Sequence, residues 1–169
     1  MPQFGVPLDE LTQRFIGIEN NRFMAGQASA ADVEANKYYG PVFESISYVF
    51  EQIIYSQPLR VKLYMRHCLM FGLFLLALYC FHFIAKRLFK NEATAVLCST
   101  FFALYPPLFA HAHYNSKDTL FLVLVVFSLY YFVKYAEQPK IKWLIGMSVI
   151  IGIASTVRFT GVFVGIALG

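Results

Sequence analysis

Residues 111–118 bring several chemically active side chains into one short run, His-Ala-His-Tyr-Asn-Ser-Lys-Asp. The run supplies two imidazoles, an amide, an ammonium group and a carboxylate. A lysine and backbone N–H groups at the start of a helix suit a phosphate. Long apolar segments lie on both sides, at 93–110 and 119–133. The run is therefore expected at one face of a membrane, where it can meet a charged lipid head group.

Two further sites carry groups that suit the same chemistry. Asp9, in the pair Asp9-Glu10, can remove a proton from an attacking hydroxyl or amine. Arg158 can hold a phosphate in bidentate fashion. Simpler interpretations stay open, because Asp118 also suits a helix N-cap and Arg158 a helix-end anchor.

The composition indicates a membrane protein rather than a soluble domain. Of the 169 residues, 58% are hydrophobic and 14% are charged, and the mean hydropathy is +0.55. A soluble surface needs more charge than this. The net charge of +4 comes largely from basic residues beside apolar segments. That placement favours positive-inside membrane topology over nucleic-acid binding.

Residue spacing assigns no metal site and no disulfide framework. The three cysteines all lie within or beside apolar segments, and they match no disulfide or metal-ligand pattern. His111 and His113 form a His-x-His pair, which alone is weak evidence for a metal. No cofactor is therefore assigned, and a divalent metal stays open.

Four apolar segments are predicted to cross the membrane as helices. They cover 67–85, 93–110, 119–133 and a stretch that begins near Ile141. A helix needs roughly 20 residues to cross ~30 Å of hydrocarbon, and the lengths of these segments are compared with that value. Pro106-Pro107 should kink or end the second helix. The chain thus divides into an external region, 1–66, and a transmembrane region, 67–169, with about four to five spans.

The basic residues predict the orientation of these spans. The hinges at 86–92 and 134–142 carry six lysines and arginines, whereas 111–118 carries only Lys117. The positive-inside rule then makes the hinges cytoplasmic and the polar run external, although the basic residues of 60–66 argue mildly against this. Asp9-Glu10, the polar run and Arg158 are therefore expected to share one external face.

Residues 42–57 predict an amphipathic helix within the N-terminal region. Apolar residues recur there at offsets of three and four, with Glu44, Ser47 and Glu51 off that face. The segment is too polar to span a bilayer, and it suits a helix that lies in the membrane interface. A surface helix whose apolar face packs on the protein's own core is equally compatible with the pattern.

Taken in order, these motifs resemble the membrane-embedded glycosyltransferases of the GT-C type. The features are Asp9-Glu10 before a short helix, Tyr39-Gly40-Pro41 before an amphipathic helix, and the run ending in Asn-Ser-Lys-Asp at 115–118. The chain is most similar to bacterial lipid-carrier-dependent transferases, the group of the protein O-mannosyltransferases and aminoarabinose transferases. Arg158 and Gly161 resemble a basic-x-x-Gly element of a later helix.

The resemblance implies an all-α, polytopic transmembrane helix bundle that transfers a sugar from a polyprenyl-phosphate donor. The acceptor would be a protein or glycolipid at the outer face of a bacterial inner or plasma membrane. Asp9 would be the general base. The residues expected to bind substrate are Glu10, His111, His113, Asn115, Lys117, Asp118 and Arg158.

Family members also begin with a transmembrane helix before the Asp-Glu pair and carry more spans. The sequence is therefore expected to be an N-terminal piece with an incomplete active site. The main alternative is a non-enzymatic polytopic protein, such as a transporter or flippase for lipid-linked intermediates. A transporter would carry its functional charges near the membrane midplane, whereas these gather at one face.

Overall fold

The computed structural model describes residues 10–34 and 40–168, with the side chains of Glu34 and Tyr114 left aside. Asp9, the predicted general base, lies outside the described residues. Within these ranges the chain forms nine helices and no strand: α1 Glu10–Met24, α2 Ala30–Glu34, α3 Val42–Ile53, α4 Leu59–Phe89, α5 Glu92–Leu104, α6 Pro106–Tyr114, α7 Ser116–Glu137, α8 Ile141–Val157 and α9 Gly161–Leu168. The all-α expectation is confirmed.

Two of these helices, α4 and α7, are long and apolar enough to cross a membrane. At 1.5 Å per residue they measure about 46 and 33 Å, against ~30 Å of hydrocarbon. The bent pair α5 and α6 makes a third candidate, and α8 is a shorter apolar helix of 17 residues. The helix α4 begins eight residues before the predicted span, so it continues through the expected boundary at 66/67.

The predicted break in the second span is confirmed at Tyr105, directly before Pro106-Pro107. The two halves of the pair are bent by 60° there. A proline lacks the N–H that would continue the helix, and its ring clashes with the preceding turn. The break starts α6 with a proline in its first turn, where that residue is well tolerated.

The ends of α7 define two ends of the helix bundle. One is the hinge end, formed by residues 86–92 and 134–142, where Arg87 lies 3.1 Å from Glu137. The other is the site end, formed by residues 111–118 and Arg158, where Arg158 pairs with Asp118. Residues 111–118 are not a loop: α6 runs to Tyr114, α7 starts at Ser116, and Asn115 alone separates them.

The apolar core lies between α4, α7 and α8. One cluster joins Phe43 of α3 to Met70, Leu120, Leu124 and Ala154. A second cluster, nearer the hinge end, packs α4 against α7 through Ala77, Cys80, Val123 and Val126. Many large apolar side chains nevertheless point outward, as expected where lipid is the solvent.

The burial pattern of the amphipathic helix α3 is the reverse of that of a surface helix on a soluble protein. Its polar residues Glu44, Ser47 and Glu51 are buried, whereas Ile46 is 51% and Ile53 is 75% exposed. The idea that the apolar face packs on the protein's own core is therefore wrong. An outward apolar face favours the interfacial interpretation.

Candidate functional site

A buried network of charges occupies the centre of the site end. It consists of Arg14 on α1, Glu44 and Glu51 on α3, and Arg66 on α4, and we call it the Arg66 network. The Arg66 guanidinium pairs with Glu44, and its Nη1 lies 3.6 Å from Glu51 Oε1. Arg14 Nε donates to both Glu51 oxygens, at 2.8 and 3.1 Å. The Arg66, Glu44 and Glu51 side chains are at most 4% exposed, so each depends on its partners.

The close packing of α1 on α3 makes the Arg14 contact possible. A Cβ placed on Gly17 would lie 2.5 Å from the carbonyl oxygen of Glu44. Glycine alone therefore permits this separation of the two backbones. Asn21, one turn further along α1, adds a 3.2 Å hydrogen bond to the Ser45 carbonyl. This close packing of α1 on α3 holds Arg14 beside Glu51.

A second buried pair joins Glu10 and His67. His67 Nε2 lies 2.8 Å from Glu10 Oε1, and both side chains are at most 7% exposed. When the Glu10 carboxylate is ionised, Nε2 is the donor, because such a carboxylate can only accept. The other carboxylate oxygen of Glu10, Oε2, is buried and has no hydrogen-bond partner within residues 10–34 and 40–168. A buried acceptor left unpaired is costly, so this oxygen is available to a ligand or a water.

A narrow cavity opens between these groups. Its lining includes Glu10, Arg66, His67, Met70, His113 and Ser116. The volume of about 10 Å³ matches about one water molecule. Among the described residues, Arg66 Nε and Nη1 are buried without a hydrogen-bond acceptor, although Nη1 lies 3.6 Å from Glu51 Oε1. Glu10 and Arg66, which both line this cavity, therefore carry polar atoms that a hydroxyl-bearing ligand could bond.

The polar run reaches the Arg66 network through Ser116. Its hydroxyl donates a 2.6 Å hydrogen bond to Glu44 Oε1, so the first turn of α7 is tied to α3. His113 is buried, stacks on the Phe71 ring at 4.5 Å between centroids, and its Nδ1 lies 2.7 Å from the Phe109 carbonyl oxygen. His113 and Ser116 of the run thus line the same cavity as Glu10.

His111 does not join His113. The two residues are two apart on α6, and side chains at that spacing point to different sides of a helix. His111 Nδ1 lies 2.9 Å from Asn115 Nδ2. Among the residues that the structure describes, no three His, Cys, Asp or Glu side chains come together to hold a metal ion.

Asp118 and Arg158 form a separate and more exposed pair. Asn115, not Asp118, caps α7: the Asp118 N–H donates to Asn115 Oδ1 at 3.0 Å. The N-cap interpretation of Asp118 is thus wrong. The Asp118 N–H, one of the groups expected to bind a phosphate at the start of α7, is already bonded to Asn115. The Asp118 carboxylate pairs instead with Arg158, and both side chains are about half exposed. Lys117, in the same first turn, is half-buried.

Sequence reasoning missed Arg14, Glu44, Glu51, Arg66 and His67. A signal for α3 was present, because Glu44, Ser47 and Glu51 form one stripe on an otherwise apolar helix. In a membrane protein such a stripe faces the protein interior. Helical periodicity alone identifies these residues only as the side opposite the apolar face.

The sequence of residues 41–169 matches a family model described as dolichyl-phosphate-mannose-protein mannosyltransferase. The match covers about three quarters of the 169 residues. The chain belongs to this family. Membership confirms the resemblance to GT-C glycosyltransferases and the helical membrane fold. It places the chain among membrane glycosyltransferases that use a lipid-linked sugar donor.

No curated protein and no solved structure matches the chain significantly. The region that matches the mannosyltransferase family model contains α3 to α9. It therefore includes Glu44, Glu51, Arg66 and Arg158. Glu10 and Arg14 precede it. The contacts of Glu10 with His67 and of Arg14 with Glu51 therefore connect α1 to the part of the chain that the family model covers.

Proposed function

We propose that the protein transfers a sugar from a polyprenyl-phosphate donor to a protein or glycolipid acceptor at the external membrane face. The observation that carries this proposal is the cavity beside Glu10. Glu10, whose Oε2 is buried without a hydrogen-bond partner among the described residues, lines this cavity together with Arg66 and Ser116. The chain belongs to a family of glycosyltransferases. A sugar or acceptor hydroxyl would supply the missing donor.

The transfer itself exchanges one C–O bond for another. The acceptor hydroxyl gives its proton to a carboxylate, for which Asp9 is the proposed base, and its oxygen forms a bond to the anomeric carbon. The bond from that carbon to the phosphate oxygen breaks, and polyprenyl phosphate leaves with the electron pair. Base assistance of this kind is typically worth about 10²–10⁴-fold in rate.

Lys117 and Arg158 are the proposed partners of the donor phosphate. Arg158 is bound to Asp118, but the pair is about half exposed, and such pairs contribute only about 0–1 kcal/mol. A phosphate can therefore compete with Asp118 for the guanidinium at little cost. The planar fork of Arg158 suits a bidentate contact with phosphate oxygens.

The arrangement of charges along the bundle supports the external assignment of the site. The lysines and arginines of both hinges lie at the hinge end, where Arg87 contacts Glu137. The basic residues of the site end include Lys117 together with Arg14, Arg66 and Arg158, and these three arginines pair with carboxylates of Glu51, Glu44 and Asp118. The outward apolar side of α3 would rest in the lipid interface and hold the site at the membrane surface.

A transporter for lipid-linked intermediates is the alternative. The positions of the charged residues along α4 do not favour it. Arg66 and His67 lie in the first third of the helix, and the next basic side chains after them are His82 and Lys86. The segment between them, at the middle of α4, carries no charged residue. A transport pathway would place functional charges near the midplane.

The proposal is tested in the full-length enzyme, reconstituted with a labelled polyprenyl-phosphate sugar. Glu10→Gln removes the charge while keeping the size of the side chain, and sugar transfer should fall at least tenfold. Glu19→Gln is the matched control, because Glu19 lies on the same helix and pairs with the exposed Arg22. Equal transfer by the parent and Glu10→Gln, with both proteins folded, would exclude this cavity as the reaction site.

A further inference from the structure

A second cavity, of about 630 Å³, lies at the hinge end, far from the candidate active site. It opens where α4 ends, α5 begins and α7 ends. Its lining includes Phe83, Lys86, Arg87, Lys90, Glu92 and Glu137. Cavities of ~300–1,000 Å³ commonly hold small-molecule ligands. The glycosyl transfer derived above uses none of these residues.

Two cations are held over a single aromatic ring at this cavity. The Arg87 guanidinium carbon lies 5.0 Å from the centroid of the Phe83 ring, and Lys134 Nζ lies 4.1 Å from it. The two positive groups are therefore at most about 9 Å apart by the triangle inequality. Cation–π contacts compensate part of their repulsion. They bring Lys134 of α7 and Arg87 of α4 to one place.

The acidic residues of the cavity do not neutralise it. Lys86 pairs with Glu92 at 2.6 Å, and Arg87 pairs with Glu137 at 3.1 Å. Lys90 adds a further positive charge to the lining, and Lys134 adds another beside the cavity, over the Phe83 ring. Both pairs are between one third and just over one half exposed, so they contribute little and can open for a stronger anion.

Lys90 occupies a backbone position that normally favours glycine. It is the C-cap of α4, with φ 51° in the left-handed region. Glycine is the usual residue there because it has no Cβ penalty. A lysine keeps a positive charge at the cavity despite that conformational cost. This position also offers a useful variant, since Lys90→Gly removes the charge without straining the backbone.

The surroundings point to a lipid-borne anion rather than a soluble one. Leu88 and Phe89, in the same last turn of α4, are 72% and 51% exposed, so an apolar surface adjoins the basic groups. Basic pockets between transmembrane helices bind anionic lipid head groups. A ligand with a phosphodiester and acyl chains would satisfy both the cations and this apolar surface.

We infer that the hinge-end cavity binds the phosphodiester head group of an anionic phospholipid. Arg87, Lys90 and Lys134 provide the positive charge, and Leu88 and Phe89 contact the acyl chains. The site lies at the membrane face opposite the proposed transfer reaction. Lipid binding at this site can therefore be tested independently of the sugar donor and the acceptor.

The test measures lipid binding to the purified full-length protein in a neutral detergent by native mass spectrometry. Phosphatidylglycerol should remain bound at concentrations where phosphatidylcholine with the same acyl chains dissociates. Lys90→Gly and Lys134→Gln should each weaken phosphatidylglycerol binding about fivefold, the order expected per basic residue at a membrane surface. Lys142→Gln is the control, because Lys142 lies in the second hinge, stacks on Trp143 and is outside the cavity lining.

Several results would overturn the inference. Equal retention of the two lipids would show that no anionic head group is selected. Equal weakening by Lys142→Gln and Lys90→Gly would reduce the effect to general surface charge. Displacement of phosphatidylglycerol by millimolar inorganic phosphate would identify a soluble anion as the ligand. Preferential displacement by polyprenyl phosphate would identify the sugar carrier instead. Unchanged thermal unfolding of each variant confirms that the fold is retained.

Discussion

The Ser116 hydroxyl donates a 2.6 Å hydrogen bond to Glu44 Oε1 across 72 residues of sequence. This bond joins the polar run at the start of α7 to the Arg66 network beside α3. Glu44 thereby has one oxygen bonded to Ser116 and the other paired with Arg66. The geometry of the run and the burial of the network therefore depend on each other.

Ser116→Ala should lower both stability and sugar transfer. Hydrogen bonds to charged groups contribute roughly 1.5–3 kcal/mol, and the loss leaves one Glu44 oxygen without this donor. Thermal unfolding in detergent measures the first effect and a transfer assay the second. Ser148→Ala is the matched control, because Ser148 is exposed and its hydroxyl donates to the Leu144 carbonyl of its own helix. An unchanged unfolding midpoint for Ser116→Ala would contradict the coupling.

Arg66→Met should destabilise the protein strongly, because Glu44 and Glu51 would keep buried charges without this partner. Removing one member of a buried ion pair costs roughly 3–5 kcal/mol. The triple change Arg66→Met, Glu44→Gln and Glu51→Gln removes the stranded charges and should recover much of that loss. Protease resistance, measured as a function of temperature, gives the midpoint of thermal unfolding for both the single and the triple variant. A single variant as stable as the parent would show that the network does not support the fold.

Arg158→Gln should weaken binding of the lipid donor in the full-length enzyme while helix insertion is unchanged. Arg158→Lys should recover only part of the affinity, because a point charge cannot replace a planar fork. Asp118→Asn frees Arg158 from its partner and tests whether the carboxylate orients the donor, in which case affinity and turnover fall together. Donor titration of each variant provides the measurement. Unchanged affinity in Arg158→Gln would leave the residue as a partner of Asp118 alone.

Asp9→Asn should reduce turnover about 10²–10⁴-fold, the usual contribution of general-base catalysis, with little change in donor binding. The asparagine keeps the size of the side chain but cannot accept the proton. Single-turnover transfer and donor affinity are measured side by side, with Glu19→Gln again as the control. Turnover within a few-fold of the parent would remove Asp9 as the base.

The proposed sidedness predicts opposite labelling of two exposed positions on either side of α4. In a background without the three native cysteines, Gln57→Cys should react with an impermeant thiol reagent in intact cells, and Asn91→Cys should not. Both positions are exposed, so access depends on the membrane face. Labelling of position 91 alone would reverse the orientation.

Local sequence was sufficient for the existence of the apolar helices and for several of their ends, although α4 starts before the predicted span and 111–118 is largely helical. The apolar segments, the break at Pro106-Pro107 and the Lys- and Arg-rich hinges all follow from residues within a few positions of each other. Helix formation and membrane burial depend on such local patterns, since every backbone group in lipid must be bonded within its own segment. The order of the motifs then indicated the family.

The tertiary structure decided which charges meet and which face of α3 turns inward. The periodicity of α3 is the same whether its polar or its apolar side faces the protein, so the sequence alone left both interpretations open. Arg66 on α4 and Ser116 on α7 meet Glu44 only after folding. A buried carboxylate needs partners from other helices, and in this fold they bring the polar side of α3 inward and leave most of its apolar side exposed.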